Sequence, residues 1–330
     1  MAAANINSYL INATNVFLTN LDNPICAIPD MRWGSMPRDD GNLVLSSEEK
    51  ADFISTEPWI EPYIRPYIGA TEFLNGGERY CLWLVDIAPN ILSKSPKTLA
   101  RIDAVKKFRA ASKAASTRKF ADFPTIFCQI AQPKSSYLMV PLHSSENRSY
   151  IPIGYMPADV IASNACGLIP GAELVHFGVI QSSMHMAWVR YTCGRIKSDY
   201  RYSKDIVYNN FPWPELPKNE SKMAIADVSI AYKAIENAAK AVLDERAKHQ
   251  TGDNPASLAD LYDPLTMPPA LLKAHQKLDA AVDKAYESQG GKKAYKSDAE
   301  RVAFLFDLYQ RMTSLLPADG VKPKRRVKTA

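Results

Sequence analysis

The sequence predicts an α+β protein, with a mixed α/β part over residues 1–214 followed by an all-helical part over residues 215–330. Before residue 214, short β-branched or aromatic runs bounded by Gly, Pro, Asn or Ser alternate with helical segments; after it, only helical periodicity is found. Composition sets the class. Of 330 residues, 46% are hydrophobic and 23% charged, which fits a folded globular chain and excludes a disordered, collagenous or rod-like one.

The strand candidates are Asn42–Leu45, Arg79–Asp86, Thr125–Ile130, Tyr137–Leu142 and Tyr150–Ile153. A basic helix lies between the second and third. Ser95 reads as its N-cap and Pro96 as its first residue. Ala104, Phe108, Ala111 and Ala115 then fall on one face, and Lys106, Arg109 and Lys113 on another. A further helix is capped by Ser182 or Ser183, turns Met184, Trp188 and Tyr191 inward, and ends at Gly194 in a left-handed conformation. Beyond residue 214, Ile225, Val228, Tyr232, Ile235, Ala239 and Val242 step by three and four, as do Leu271, His275, Leu278, Val282 and Tyr286. The last helix opens on a capping box, Ser297 to Glu300, and buries Val302, Leu305, Tyr309, Met312 and Leu316. Gly252–Pro269 punctuates the helices as an ordered linker or turn, and the basic run Lys322–Lys328 is expected to be disordered.

Several functions are excluded by what is missing. No apolar run approaches the ~20 residues that span a bilayer, and the first residues lack the pattern of a signal peptide. Cysteines 26, 81, 128, 166 and 193 form no C-x-x-C pair and read as reduced thiols of a cytoplasmic protein, not zinc ligands. There is no glycine-rich nucleotide loop, and Asn23-Pro-Ile-Cys26 is not the Asn-Pro-Pro-aromatic tetrapeptide with which adenine methyltransferases hold a flipped base. Asp30 with Glu48 and Lys50 superficially matches the acid-acid-lysine site of metal-dependent nucleases. Yet Ser46–Phe53 reads as a capped helix start with its acids in the first turn, where the dipole favours them. His185, inside an apolar helical run, reads as a packed or hydrogen-bonded histidine.

Charge distribution is more informative than the net charge of +5. Residues 22–86 hold 12 acidic and 5 basic residues, whereas residues 94–134 hold 10 basic and 2 acidic ones. The basic segment is either a phosphate-facing surface or a solvated helix face. A third reading makes the chain a protein-interaction module whose basic helix meets an acidic partner. Further on, Arg195–Lys204 packs four cations, one acid and two tyrosines into ten residues. As an extended segment it would set Arg195, Lys197, Asp199 and Arg201 along one edge. Lysine donates to guanine acceptors and aspartate accepts from the cytosine amine, so the mixture suits base reading; a surface salt bridge is the alternative.

The chain resembles the C-terminal half of the MmeI-like restriction–modification enzymes, which combine a nuclease, an adenine-specific DNA methyltransferase and a target-recognition domain. The resemblance runs through Asn23–Pro29, Gly34-Ser35, Ile64–Gly69, Arg79–Leu84, Ser144–Arg148, Tyr150–Pro152, Ser183–Arg190, Gly194-Arg195, Tyr200–Ser203 and Tyr208–Pro214. It continues through Leu258–Pro264 and Ser297–Phe306, which look like the family's helical C-terminal domain. The resemblance implies sequence-specific recognition of double-stranded DNA in the bacterial cytoplasm, for an enzyme that uses S-adenosylmethionine and magnesium. The nuclease and methyltransferase sections have no counterpart here, so this chain is expected to bind DNA, to hold neither cofactor nor metal and to catalyse nothing alone. Their domains would belong to the parent enzyme or to a separate subunit. Lys197 and Asp199 fall where the family carries a residue pair choosing one base pair, often as an acid followed by a base. Arg195 and Arg201 join them as expected base readers. Lys106, Arg109, Lys113, Arg148, Tyr202, Ser203 and Lys204 are the expected phosphate contacts.

Overall fold

The computed structural model describes residues 5–215 and 226–314. Its strands are β1 (Arg32–Trp33), β2 (Val44–Leu45), β3 (Ile64–Ile68), β4 (Tyr80–Leu82), β5 (Tyr137–Pro141), β6 (His143–Ser144), β7 (Gly154–Met156), β8 (Ile161–Ala162), β9 (Cys166–Pro170), β10 (Gly194–Ile196) and β11 (Asp199–Arg201). They form three sheets, ordered β1-β9-β5-β7, β2-β4-β3-β8 and β10-β11-β6. Among these pairings only β3 with β8 is parallel.

Strand β5 shows how the first sheet is used. Every residue of it is buried, because both faces are covered. Its side chains still alternate: Leu138 and Val140 enter the large core, while Tyr137 and Met139 enter a small one with Ala162, Cys166 and Leu168. The second sheet closes a separate core with the helices Ser47–Thr56 and Pro96–Ala111, through Leu45, Phe53, Cys81, Leu82, Ile102, Val105 and Phe127.

The large core joins both parts of the chain. Helices Leu174–Ile180 and Ser183–Thr192 contribute Phe177, Met184 and Trp188, and helices Ala226–His249, Pro269–Ala285 and Asp298–Thr313 contribute Ile235, Leu278, Val302 and Phe306. Gly178 permits the closest approach: a β-carbon there would lie 2.7 Å from Ile235 Cγ2 and 3.2 Å from Leu278 Cδ1. Polar clamps span the same seam. Half-buried Asp279 accepts from the Ser183 N–H (2.6 Å), the Ser183 hydroxyl (2.7 Å) and the Tyr150 hydroxyl (2.7 Å). The Arg246 guanidinium donates twice to the Ile153 carbonyl, and Tyr286 donates to that of Pro212. The last strand of the described residues ends at Arg201, before residue 214, and packing runs across that boundary.

Helix positions follow the periodicity, with three corrections. The basic helix ends at Ala111 and buries Thr98, Ile102, Val105 and Arg109; Phe108 is 38% exposed, and Ala115 belongs to a separate short helix. The small alanines did not define the apolar side, because the second core is reached by Ile102 and Val105. Gly194 opens β10 with Cys193 as the helix C-cap, and Met312 is 41% exposed. Residues 125–130 form only a bridge, Met36 to Gln129, and Tyr150–Ile153 is buried without a strand. Ile225, the Val228 side chain, Leu316 and the tail 322–328 lie outside the described residues. All five cysteines are unpaired.

The core holds neutral histidines. His185 and His275 are buried and their pKa values are pushed down to about 3 by burial; that of His176 is lowered by the same cause. A histidine of unfolded pKa near 6.5 then binds a proton in the unfolded chain but not in the folded one. Stability is thus complete above about pH 6.5 and falls as pH drops toward 3, by up to about 1.4 kcal/mol per pH unit per histidine. In urea titrations between pH 7 and 4, His185→Gln and His275→Gln should each flatten this dependence. An unaltered slope in both variants would show that these imidazoles do not set it.

Candidate nucleic-acid interface

The segment after the helix Ser183–Thr192 is a β-hairpin, not a single extended edge. β10 and β11 pair in the register Gly194↔Arg201, Arg195↔Tyr200 and Ile196↔Asp199, and β11 is anchored on β6 through Tyr200↔Ser144 and Arg201↔His143. Directly opposed residues of an antiparallel pair share a face. One face therefore carries Arg195 and Tyr200, and the other carries Ile196, Asp199 and Arg201 with Gly194 leaving a gap. Lys197 and Ser198 make the turn between the strands.

The two faces behave differently. Tyr200 is buried, and the Arg195 guanidinium lies over its ring at 4.2 Å. Arg195 also donates to the carbonyls of Ser198 (2.7 Å) and Arg190 (3.4 Å) and lies 3.8 Å from the Glu146 carboxylate. It braces the hairpin, which corrects its expected place beside Lys197, Asp199 and Arg201 on one edge. The opposite face is exposed throughout. Asp199 accepts one hydrogen bond, from the Glu146 N–H at 3.2 Å, which steers one carboxylate oxygen and leaves the other open. Lys197 is exposed and adopts a left-handed conformation, φ +55°, costly for a residue with a β-carbon. Among the described residues Lys197 and Asp199 form no ion pair with each other, so the salt bridge anticipated as an alternative is absent; Arg195 with Glu146 holds that role.

The residues after the hairpin point elsewhere. Tyr202, expected at a phosphate, is buried, with its hydroxyl 2.9 Å from His185 Nε2. Ser203 caps the π-helical turn Lys204–Tyr208 by accepting from the Ile206 N–H. Lys204 is held by Asp205 at 2.5 Å and by the Asp22 carbonyl at 3.3 Å. The Tyr202 hydroxyl is thus enclosed in the core, whereas Ser203 and Lys204 are half-buried with these local partners. Arg148 is half-buried against Ser144 Oγ at 3.4 Å; burial lowers its pKa, opposed by the charges of Asp263 and Asp199.

The acidic and basic regions of the sequence meet each other. Lys97 pairs with Asp52, Arg101 with Glu49, and Lys107 with Asp103 at 2.6 Å. Arg118 donates to the carbonyls of Ser112 and Lys113. Arg109, expected on the phosphate face, is fully buried instead. Its five N–H groups donate to the carbonyls of Arg38, Phe120, Phe123, Pro37 and Ile126, at 2.7–3.2 Å. Lys106 and Lys113 remain exposed, though Lys113 lies beyond the helix end.

The nuclease alternative does not assemble. Asp30 borders a shallow groove with Asp22, Asn23, Arg32, Trp33 and Lys204. Glu48 and Lys50 lie on the helix of the second core, where the Lys50 ammonium sits 3.9 Å over the Tyr80 ring. Among the described residues no group of three His, Cys, Asp or Glu could hold a metal ion, and no helix is long and apolar enough to cross a membrane.

Residues 12–215 match the family described as MmeI, target recognition domain, and residues 229–317 match that described as MmeI, C-terminal domain. DNA methyltransferase A of Bacillus subtilis (strain 168) is 40% identical over 313 residues, which is 94% of this chain and 33% of that protein. The type IIL restriction-modification enzyme MmeI, solved in complex with DNA, is 45% identical with a TM-score of 0.86, covering 95% of this chain and 39% of its own. This chain thus spans between a third and two fifths of the length of these relatives.

Arg109 yields a stability test. Arg109→Ala takes the donors away from five carbonyls in part-buried hydrogen bonds, and a buried polar group costs about 1–3 kcal/mol when unpaired. It should lower the unfolding free energy by roughly 3 kcal/mol or more, read from urea midpoints. Lysine, with three donors on one atom, should restore only part of it. Full rescue by Arg109→Lys would show that the charge, not the fork of donors, is what the site needs.

Proposed function

This chain belongs to the MmeI family, and from that premise we propose that it reads double-stranded DNA for an adenine-N6 methyltransferase and endonuclease whose catalytic domains lie outside this sequence. The observation that carries the reading is the exposed face and tip of the β10–β11 hairpin. A two-stranded ribbon fits the major groove, where each base pair presents its own donors and acceptors. In this reading Lys197, at the tip, donates to guanine O6 and N7. The open oxygen of Asp199 accepts, in the same reading, from the cytosine N4 amine across the pair. Arg201 is a second donor on the same face. Exposed Lys106 and Lys113 supply phosphate contacts that hold register without reading sequence.

In this reading S-adenosylmethionine and magnesium belong to the methyltransferase and nuclease domains. The described residues of this chain offer no carboxylate or histidine group for a metal, and the sequence has no cofactor loop, so no chemical step is assigned to it. Its contribution is binding energy. Extruding an adenine costs a few kcal/mol, and contacts to the flanking duplex help to offset that cost. The interaction-module alternative loses its main support, because Lys97 and Arg101 of the basic helix already meet an acidic partner within the chain, the helix Ser47–Thr56.

Selection from randomised duplex DNA supplies the preferred site. The double exchange Lys197→Glu with Asp199→Arg should then invert one position from G·C to C·G and leave the others unchanged. The lost pairing is worth about 1–3 kcal/mol of discrimination. A double mutant that keeps the original preference would remove Lys197 and Asp199 from the readout. Separately, Lys106→Ala with Lys113→Ala should weaken binding to all sequences alike and reduce the log–log salt slope by about two. A salt slope equal to that of the wild type would place the phosphate contacts elsewhere.

A further inference from the structure

We infer that the hairpin also senses the C5 position of the cytosine that Asp199 reads, so that a methyl group there tightens binding through Ile196. This inference rests on the base-reading assignment of Asp199. Ile196 lies directly opposite Asp199 in the β10–β11 register, on the same exposed face. Directly opposed β-carbons are about 5 Å apart, so the carboxylate and the aliphatic side chain address one patch of the groove floor together.

Ile196 joins none of the hydrophobic cores of the described residues. It is 46% exposed, and its companions on that face are Asp199, Arg201, the side-chain-free Gly194 and, from β6 opposite Arg201, the exposed His143. The aromatic packing of the hairpin, Arg195 on Tyr200, lies on the other side. A lone exposed aliphatic residue is unremarked on most surfaces. Here it stands beside an acceptor of fixed direction, and the chemistry of the base edge gives the pair a meaning. On the major-groove edge of cytosine the amine on C4 adjoins the hydrogen on C5. Thymine carries a methyl at C5 but an acceptor at C4, which the carboxylate repels. A donor adjoining a methyl is the edge of 5-methylcytosine, and acceptor plus aliphatic side chain is its complement.

The duplex enriched from the randomised pool is synthesised with cytosine or with 5-methylcytosine at the position that the Lys197 and Asp199 exchange inverts. Wild-type protein should bind the methylated duplex about fourfold more tightly, the effect of burying one methyl-sized group. Ile196→Ala should keep the preference for G·C over C·G but bind both duplexes equally, and Ile196→Val should retain most of the gain. Equal or weaker binding of the methylated duplex by wild-type protein overturns the inference. So does a gain that persists in Ile196→Ala, which would assign the effect to DNA shape. In either case the intact G·C preference leaves the base-reading assignment standing. If wild-type protein shows no G·C preference at that position, the assignment itself fails, and this inference with it.

Discussion

The burial of Trp188 is the constraint on which the arrangement depends. Its indole is fully buried, donates to the Val207 carbonyl at 3.0 Å, and packs edge-on against Phe211 and Phe306. Those partners come from the segment following the hairpin and from the last helix. The β10–β11 hairpin is thus bracketed: the chain leaves the Trp188 helix, makes the hairpin, and returns to the same ring through Val207 and Phe211. With the chain fixed at both ends and β11 paired to β6, the hairpin has little freedom to swing, which is the preorganisation that the proposed reading of base edges requires.

The helices were legible because their information is local. Stripes such as Leu271, His275, Leu278 and Val282, and the Ser297–Glu300 capping box, specify helix and buried face within one segment. The hairpin was not. Its strands are three residues long, its turn is Lys197-Ser198 instead of an Asn-Gly pair, and its anchor is β6, distant in sequence. Its exposed pair, Lys197 and Asp199, could still be singled out, since composition and resemblance both point to it. Arg195 could not be told from Arg201 until pairing placed them on opposite faces.

Arg109 and Tyr202 failed as expected surface residues for a related reason. Their residue types suggest contact with solvent or ligand, yet each is taken inward by partners far along the chain: carbonyls from Pro37 to Ile126 for the guanidinium, and His185 for the phenol. Part of the basic segment misled in the same way. Lys97 and Arg101 are matched by Asp52 and Glu49 of the acidic region before it, so that part of the apparent electrostatic footprint is an internal contact between two oppositely charged stretches.

The division of the hairpin into a braced face and an open one bears on how such a protein can change over time. Substitutions at exposed positions away from packing usually alter stability by within about 0.5 kcal/mol. Ile196, Asp199 and Arg201 occupy such positions, while the stacking of Arg195 on Tyr200 secures the backbone beneath them. Successive amino-acid exchanges on the open face can therefore be explored without crossing the stability threshold. On the reading proposed above, a lineage carrying this scaffold can drift from one DNA target to another through folded intermediates, with its vocabulary decoupled from its architecture.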